Sequence, residues 1–270
     1  MKRSTVDNPA LESYLLLSKT NAISDISEIY AHPEKEMDSE TIEQYFELLE
    51  RRANNEPSAY IMGGKEFYSR RFTVNPSVLI PRPETELLAE EAIRITHTIK
   101  SPVVLDIGTG SGCIAVTIAG ENPLSNIYAS DISAEALRTA GYNARMHQVD
   151  KRITFVNGYL LSTFKKDAFD IIVSNPPYIS ESEFETLEPE VREFEPRLSL
   201  LAGSDGLSLI NEIISDSPRI LKDGGWCLLE IGAGQSEKVM ELFHERGFSE
   251  ITALRDLSNT ERVVKAKWKK

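Results

Sequence analysis

Val103-Val104-Leu105-Asp106-Ile107-Gly108-Thr109-Gly110-Ser111-Gly112 is the stretch that decides the fold. Its first half is a short run of apolar, mostly β-branched residues, the pattern of a strand buried on both faces. Its second half puts glycine at every other position, so the chain can turn tightly and a ligand can approach the backbone without meeting a Cβ. The apolar segment from Ile114 to Ala119 then predicts a helix packing back on the strand. Together these make the opening of a βαβ unit.

The same alternation continues downstream. Ile127-Tyr128-Ala129-Ser130-Asp131 predicts a second strand, and Ser133 caps a helix running through Ala144. Ile153 to Val156, Phe169 to Val173 and Trp226 to Ile231 predict strands three, four and five. About fifty residues separate the last two strands, too many for an ordinary loop, and are expected to be functional or partly helical. Strands alternating with helices imply an α/β fold with a parallel, doubly wound sheet and its ligand at the strands' carboxyl ends.

Upstream the pattern differs. Leu11, Tyr14, Leu15 and Ser18 fall at helical spacing, as do Ile42, Tyr45, Phe46 and Leu49 after a cap at Asp38 or Ser39. Alternating apolar residues with turn formers from Gly63 to Tyr68 and on to Val74-Asn75-Pro76 predict a hairpin. The division is a helical domain over 1–62, a hairpin linker over 63–81 and the α/β domain over 82–270.

Composition excludes several classes. At 270 residues, 41% apolar and 27% charged, the chain is globular and long enough to bury a core unaided. No apolar run approaches the roughly 20 residues of a membrane helix, and no membrane partner is expected. Met1-Lys2-Arg3 is followed by Asp7, Asn8 and Glu12, which break any signal-peptide apolar stretch. Cys113 and Cys227 are too few for a disulfide framework or a Cys-based zinc site, and read as reduced thiols of a cytoplasmic protein. His32, His97, His147 and His244 show no ligand spacing, so no metal is expected. Thirty Lys and Arg against 42 Asp and Glu, net −12, argue against stable nucleic-acid binding. A monomer is expected.

Asp131 ends the second strand nineteen residues after Gly112. A carboxylate there can accept both ribose hydroxyls of an adenosine. A tight turn with a solvated Asp is the plainer reading, but turn, strand context and second-strand acid occur together. Dinucleotides and S-adenosylmethionine both satisfy this arrangement. The spacing G-x-G-x-G, rather than G-x-G-x-x-G, tilts toward S-adenosylmethionine. So does Asp106, which can anchor the turn or meet a cationic ligand but would repel a pyrophosphate.

Val173-Ser174-Asn175-Pro176-Pro177-Tyr178 ends the fourth strand. The two prolines lack N–H groups, so nearby carbonyls must find other donors. The Asn175 carbonyl and a proline-flanked backbone carbonyl become two fixed acceptors, suited to a planar NH₂ group. Tyr178 offers a flat face to stack on that plane. A rigid turn closing a strand is the bland alternative.

These motifs carry a resemblance. N-P-P-Y after the fourth strand, with D-x-G-x-G-x-G after the first, resembles class I methyltransferases acting on amino or amide nitrogen. Pro57 to Gly63, Phe67-Tyr68, Val78-Leu79-Ile80-Pro81-Arg82-Pro83-Glu84-Thr85-Glu86, Glu195-Pro196 and Gly203-Ser204-Asp205-Gly206-Leu207 narrow it. Together they are similar to the release factor glutamine methyltransferases, the PrmC/HemK family, over about residues 55 to 232.

The resemblance implies a doubly wound Rossmann-like class I methyltransferase domain with a small N-terminal helical domain that recognises the substrate. It assigns Gly108, Thr109, Gly110, Ser111 and Gly112 to the methionine part of S-adenosyl-L-methionine, and Asp131 to its ribose. Asn175, Pro176, Pro177 and Tyr178 are assigned to the substrate glutamine, with Asn175, Pro176 and Tyr178 catalytic and Asn175 also at the cofactor. The implied partners are peptide chain release factors, methylated at the glutamine of a Gly-Gly-Gln motif. Many relatives carry an Asp after the third strand, where adenine binds. Here the run is Asn157-Gly158-Tyr159-Leu160, which leaves adenine to backbone, Asn157 or an apolar wall at Leu160. The rival readings are an adenine-N6 methyltransferase on DNA or RNA, and a non-catalytic nucleotide-binding protein.

Three features receive plain readings. Glu181, Glu183, Glu185, Glu188, Glu190, Glu193 and Glu195 read as a solvated face, the alternative being a lid or a patch for a basic partner. Arg82 and Glu84 either brace the cofactor pocket or bridge the domains. Lys265, Lys267, Lys269 and Lys270 read as a strand edge with a solvated tail.

Overall fold

Capping residues place the first helices. In the computed structural model, which describes residues 8–23 and 25–270, α1 (Pro9–Lys19) begins where the Asn8 side chain accepts the Leu11 N–H. Met1 to Asp7, part of the signal-peptide expectation, lie outside the described residues. α2 (Ile26–Ala31) starts at Asp25, and α3 (Ser39–Ala53) at Asp38, which accepts from Thr41 N at 2.7 Å and is therefore the cap rather than Ser39. α4 (Ser58–Met62) stops at Gly63, whose φ of +67° ends the helix. The residues whose spacing marks these helices are largely outward: Leu11, Leu15, Ile42 and Phe46 are exposed, while Leu16 and Leu17 are buried.

β1 (Lys65–Phe67) and β2 (Arg70–Phe72) form the expected antiparallel hairpin, turned by Tyr68 and Ser69 at left-handed φ. Phe67 and Phe72 are buried at its base. Beyond it, Tyr60, Val74, Val78 and Ile80 pack with Ala136 of the α/β body, and the Tyr60 hydroxyl donates to the Val78 carbonyl at 2.6 Å.

The body continues with α5 (Thr85–Thr96), β3 (Val103–Ile107), α6 (Cys113–Glu121), β4 (Asn126–Asp131), α7 (Ala134–Met146), β5 (Ile153–Asn157) and β6 (Phe169–Ser174). Short helices α8 (Glu181–Phe184) and α9 (Pro189–Phe194) precede α10 (Ser208–Ile220), β7 (Leu221–Glu230), α11 (Ser236–Glu245), β8 (Ser249–Arg255) and β9 (Glu261–Lys267). The sheet order is β5-β4-β3-β6-β7-β9-β8. Val104 of β3 enters the core beneath α5 and α6, while Leu105 and Ile107 enter the core beneath α10 and α11, so the strand is buried on both sides. Cys113 and Cys227 are buried free thiols.

The sheet corrects three expectations. It is not wholly parallel: β3 to β7 are, but β9 runs antiparallel between β7 and β8. The fifth strand begins at Leu221 rather than Trp226, because its pairing with β6 shifts register across Lys222 to Gly225. Lys265 and Lys267 do not lie on an edge strand. β9 is paired on both sides, and the Lys265 ammonium reaches the Glu91 carboxylate at 2.6 Å.

Candidate active site

Strand register brings the motifs together. Ile107 of β3 pairs with Ser130 of β4 on one side and Ser174 of β6 on the other. Gly108, Asp131 and Asn175 each follow by one residue, so all three emerge at one level. The chain order reverses at β3, and a ligand crevice belongs at such a switch point. A cavity of about 440 Å³ opens there, walled by Gly108 to Ser111, Asp131, Tyr159, Leu160, Asn175 and Pro177.

The three glycines have left-handed φ of 66°, 55° and 81°, but their surroundings differ. A Cβ on Gly108 would meet no protein atom within 4 Å, and one on Gly110 only the Gly108 carbonyl at 3.9 Å. These two form a cradle open to the cavity. A Cβ on Gly112 would stand 3.0 Å from that of Ala140, so this glycine serves the packing of α6 on α7.

Asp106 takes the first of its two expected roles. Fully buried, it accepts the Thr109 hydroxyl at 2.7 Å and holds the turn from beneath, outside the cavity wall. Burial pushes its carboxyl up to about 7, against the pull of that hydrogen bond. Asp131 lines the cavity while its two oxygens accept from Gly110 N at 2.9 Å and Ser133 N at 2.8 Å. Burial raises its pKa, and these two N–H groups oppose the rise. The backbone bonds aim the carboxylate and leave each oxygen lone pairs for a diol.

At the adenine end, Asn157 is not in the wall. Its amide donates to the Asp131 and Ile132 carbonyls at 3.0 and 2.9 Å, so its NH₂ braces the β4 exit instead of meeting a base. Leu160 is in the wall, as expected, and so is Tyr159, whose hydroxyl donates to Glu212 of α10 at 2.8 Å. An adenosyl group carrying an amino acid fits this set: an open glycine cradle, an aimed carboxylate and an apolar slot.

At the β6 exit, Asn175 Nδ2 donates to the Thr85 hydroxyl at 3.1 Å, which directs Oδ1 away from Thr85. Asn175, Thr85 and Pro177 line the cavity; Pro176 and Tyr178 do not. The Tyr178 ring packs with the core beneath α10 and α11, its hydroxyl donating to Glu230 at 3.4 Å and its carbonyl accepting from Gln235 at 3.0 Å. It anchors the turn from behind rather than presenting a face to the cavity, because burying the ring against Gly232 and partnering its hydroxyl satisfies both halves of the side chain.

The acidic run is not simply a solvated face. Glu195, almost wholly buried, binds Arg82 and accepts the Ile80 N–H at 3.0 Å. Glu183 closes a capping box with Ser180, and Glu190 reaches Arg52 of α3 at 2.8 Å. Arg82 lines the cavity, the first of its two readings, but its ion pair runs to Glu195 within the same 82–270 domain and does not bridge the domains. Three residues around the site escape sequence reading: Thr85, Glu195 and Glu230. Thr85 and Glu195 stand in stretches that carry the resemblance, and Glu230 had a signal of its own, an acid ending a buried strand as Asp131 does.

Comparison with known proteins now decides the family. Residues 84–190 match the methyltransferase small domain and residues 1–63 the PrmC N-terminal domain. The chain is 40% identical to the release factor glutamine methyltransferase of Geobacter sulfurreducens, across 96% of this chain and 89% of that one. It is 41% identical to the enzyme of that name from Neisseria gonorrhoeae, across 97% and 94%. The chain belongs to the release factor glutamine methyltransferase family. The fold extends further: a ribosomal protein L11 methylase of Lactobacillus delbrueckii superposes with a TM-score of 0.51 at 21% identity, over 75% of this chain and 88% of that one. Family membership agrees with S-adenosylmethionine as the methyl donor.

Proposed function

We infer that this chain transfers a methyl group from S-adenosylmethionine to the side-chain amide nitrogen, N5, of the glutamine in the Gly-Gly-Gln motif of a peptide chain release factor. One observation carries the reading: Asn175 spends its NH₂ on Thr85 and so offers a carbonyl acceptor at the mouth of the donor cavity. An amide nitrogen is a poor nucleophile because its lone pair is delocalised, so most of the catalysis must come from orientation, worth up to about 7–11 kcal/mol. Asn175 Oδ1 and the Pro176 carbonyl would each take one hydrogen of the substrate NH₂. They hold its plane and favour the transition state, in which those hydrogens become more acidic. When bound, S-adenosylmethionine would supply an electrophilic sulfonium methyl to the nitrogen that these acceptors orient. Gly108, Thr109, Gly110 and Ser111 would hold the methionine end, Asp131 the ribose and Leu160 the adenine face, while Gly112 packs α6 on α7 beneath them. Pro177 shapes the wall, and Tyr178 fixes the turn from behind.

The helices before residue 63 fit a docking role, since Tyr30 and Phe46 are exposed aromatics there. The proposed setting is the cytoplasm, with the chain acting as a monomer. Among the described residues no helix is long and apolar enough to cross a membrane. The test is to incubate the protein with labelled methyl donor and either release factor or duplex DNA. Label on the glutamine of Gly-Gly-Gln is expected. Label on adenine, or on neither, sinks the reading.

A further inference from the structure

Behind the cavity wall stands a carboxyl that the proposed reaction does not use. Glu230 ends β7, is 1% exposed, and has one oxygen, Oε2, without a hydrogen-bond partner. Its other oxygen accepts the Tyr178 hydroxyl at 3.4 Å, and the Thr85 hydroxyl also bears on the carboxyl, lowering its pKa. Glu230 therefore bonds Tyr178, which closes the motif, and stands near Thr85, which receives the Asn175 NH₂, with its own Oε2 unpartnered.

Thr85 has one hydrogen to give. Because its oxygen accepts from Asn175, that hydrogen must go elsewhere, and the unpartnered Oε2 of Glu230, a carboxyl on which the Thr85 hydroxyl already bears, can accept it. An ionised carboxylate can only accept. It fixes the Thr85 hydroxyl as donor toward Glu230 and acceptor toward Asn175, and so fixes which end of the Asn175 amide faces the cavity. With the chain reversed, Thr85 would donate to Asn175 Oδ1 and the cavity would meet an NH₂, which cannot hold a second NH₂.

We propose that Glu230 is a positioning residue that acts through Thr85 to orient the Asn175 amide with its carbonyl toward the substrate nitrogen. This rests on the function proposed above. Burial pushes the Glu230 carboxyl up to about 7. Glu84 at the head of α5 adds to the rise, while Thr85, Tyr178 and Arg262 of β9 oppose it. Below that pH the carboxyl carries a proton, can donate to Thr85, and no longer enforces the order.

The experiment compares wild type, Glu230→Gln, Thr85→Val, Thr85→Ser and the Gln/Val double variant. Readouts are calorimetric affinity for S-adenosylmethionine, and kcat and KM on release factor across pH 6 to 9. In Glu230→Gln and Thr85→Val, kcat should fall by about 10- to 100-fold with donor affinity and folding intact, since a small misplacement of a clamp costs about that much. Thr85→Ser should restore most of the rate. The double variant should be no slower than the worse single one, because both cut the same chain. Wild-type kcat should decline as pH drops through about 7, a limb that Glu230→Gln lacks. Wild-type rates in both single variants, or donor affinity falling in step with kcat, overturn the proposal. A wild type that labels no release factor overturns the function instead.

Discussion

Ser174 and Ile107 are register partners on neighbouring parallel strands, and the Ser174 hydroxyl donates to the Ile107 carbonyl at 2.8 Å. The next residue on one strand is Gly108 and on the other Asn175. The bond thus pins together the two points from which the donor cradle and the substrate clamp leave the sheet. In the proposed reaction the distance between the reacting groups is set here, by backbone register, before any side chain in the cavity matters.

Ser174→Ala should cost about 1 kcal/mol of stability, the usual worth of a buried hydrogen bond. It should also lower kcat more than donor affinity, because it loosens one turn relative to the other. Denaturant unfolding with single-turnover kinetics measures both. A stability loss without any change in kcat would mean that the ladder alone holds the spacing.

Two glycines of one motif should fail differently. Gly108→Ala and Gly112→Ala both place a Cβ at left-handed φ, a strain of about 1–2 kcal/mol. At Gly112 the new methyl also meets Ala140, adding about 1–3 kcal/mol of overpacking. At Gly108 it meets only the cavity. Gly112→Ala should be the less stable protein and Gly108→Ala the weaker binder of S-adenosylmethionine. Calorimetry and thermal melts on the pair decide it, and a reversed order rejects the cradle.

Asp106 gives a pH dependence with a definite sign. Its carboxyl titrates near 4 when unfolded and at about 7 when folded, so between those values the folded state binds the extra proton. Stability is therefore lost as pH rises from about 4 to about 7. Asp106→Asn removes this group's share and should flatten the slope measured by urea unfolding, leaving the part due to Glu230. An unchanged slope would show that Asp106 is ionised throughout.

The charged clasp between Arg82, on the cavity wall, and Glu195 is a third kind of contact. Glu195→Ala leaves Arg82 and the Ile80 N–H without their shared acceptor. Because the Arg82 side chain keeps 30% exposure, the cost should be about 2 kcal/mol, under the roughly 3–5 kcal/mol of a fully buried pair. Denaturant midpoints measure it. A loss below 0.5 kcal/mol would return Glu195 to the ordinary surface acids.

What was legible in the sequence follows from what each element buries. β3, β4 and β6 lie inside the sheet, so their apolar runs stand out, while β5 at the edge is only half covered. Each strand ends in or leads into a residue that no core would choose: Gly108, Asp131, Asn157, Asn175. β8 and β9 mix charged and apolar residues without a clear run, as in Glu261-Arg262-Val263-Val264-Lys265, and nothing local separates such a hairpin from a solvated tail. The first half of β7 hides in Lys222-Asp223-Gly224-Gly225, a turn sequence carried within a bulged strand. At the site, residues adjacent to a motif were found, and residues reaching it from afar were not. Thr85 lies ninety positions from Asn175, and Glu230 fifty-two from Tyr178. Tyr178 was misplaced for a related reason: a motif names the residue but not the side of the turn on which its ring falls.

Asn175 carries the sharpest prediction. Asn175→Ala removes the carbonyl acceptor and leaves the donor cradle untouched, since Gly110 and Asp131 are held by their own backbone bonds. Affinity for S-adenosylmethionine should stay largely intact while kcat falls by about 10²–10³, the usual loss for one preorganised hydrogen bond at a reacting centre. Asn175→Asp keeps the shape and an acceptor but places a second carboxylate on Thr85, which has only one hydrogen to share between it and Glu230. Partial activity is expected, between wild type and Ala, and it should improve if Glu230 is also made neutral by Glu230→Gln. Rates on release factor and donor titrations for the series settle the order. An Ala variant that methylates at the wild-type rate would show that the substrate amide is held by something other than Asn175, and the clamp would have to be sought among the backbone carbonyls of the prolines alone.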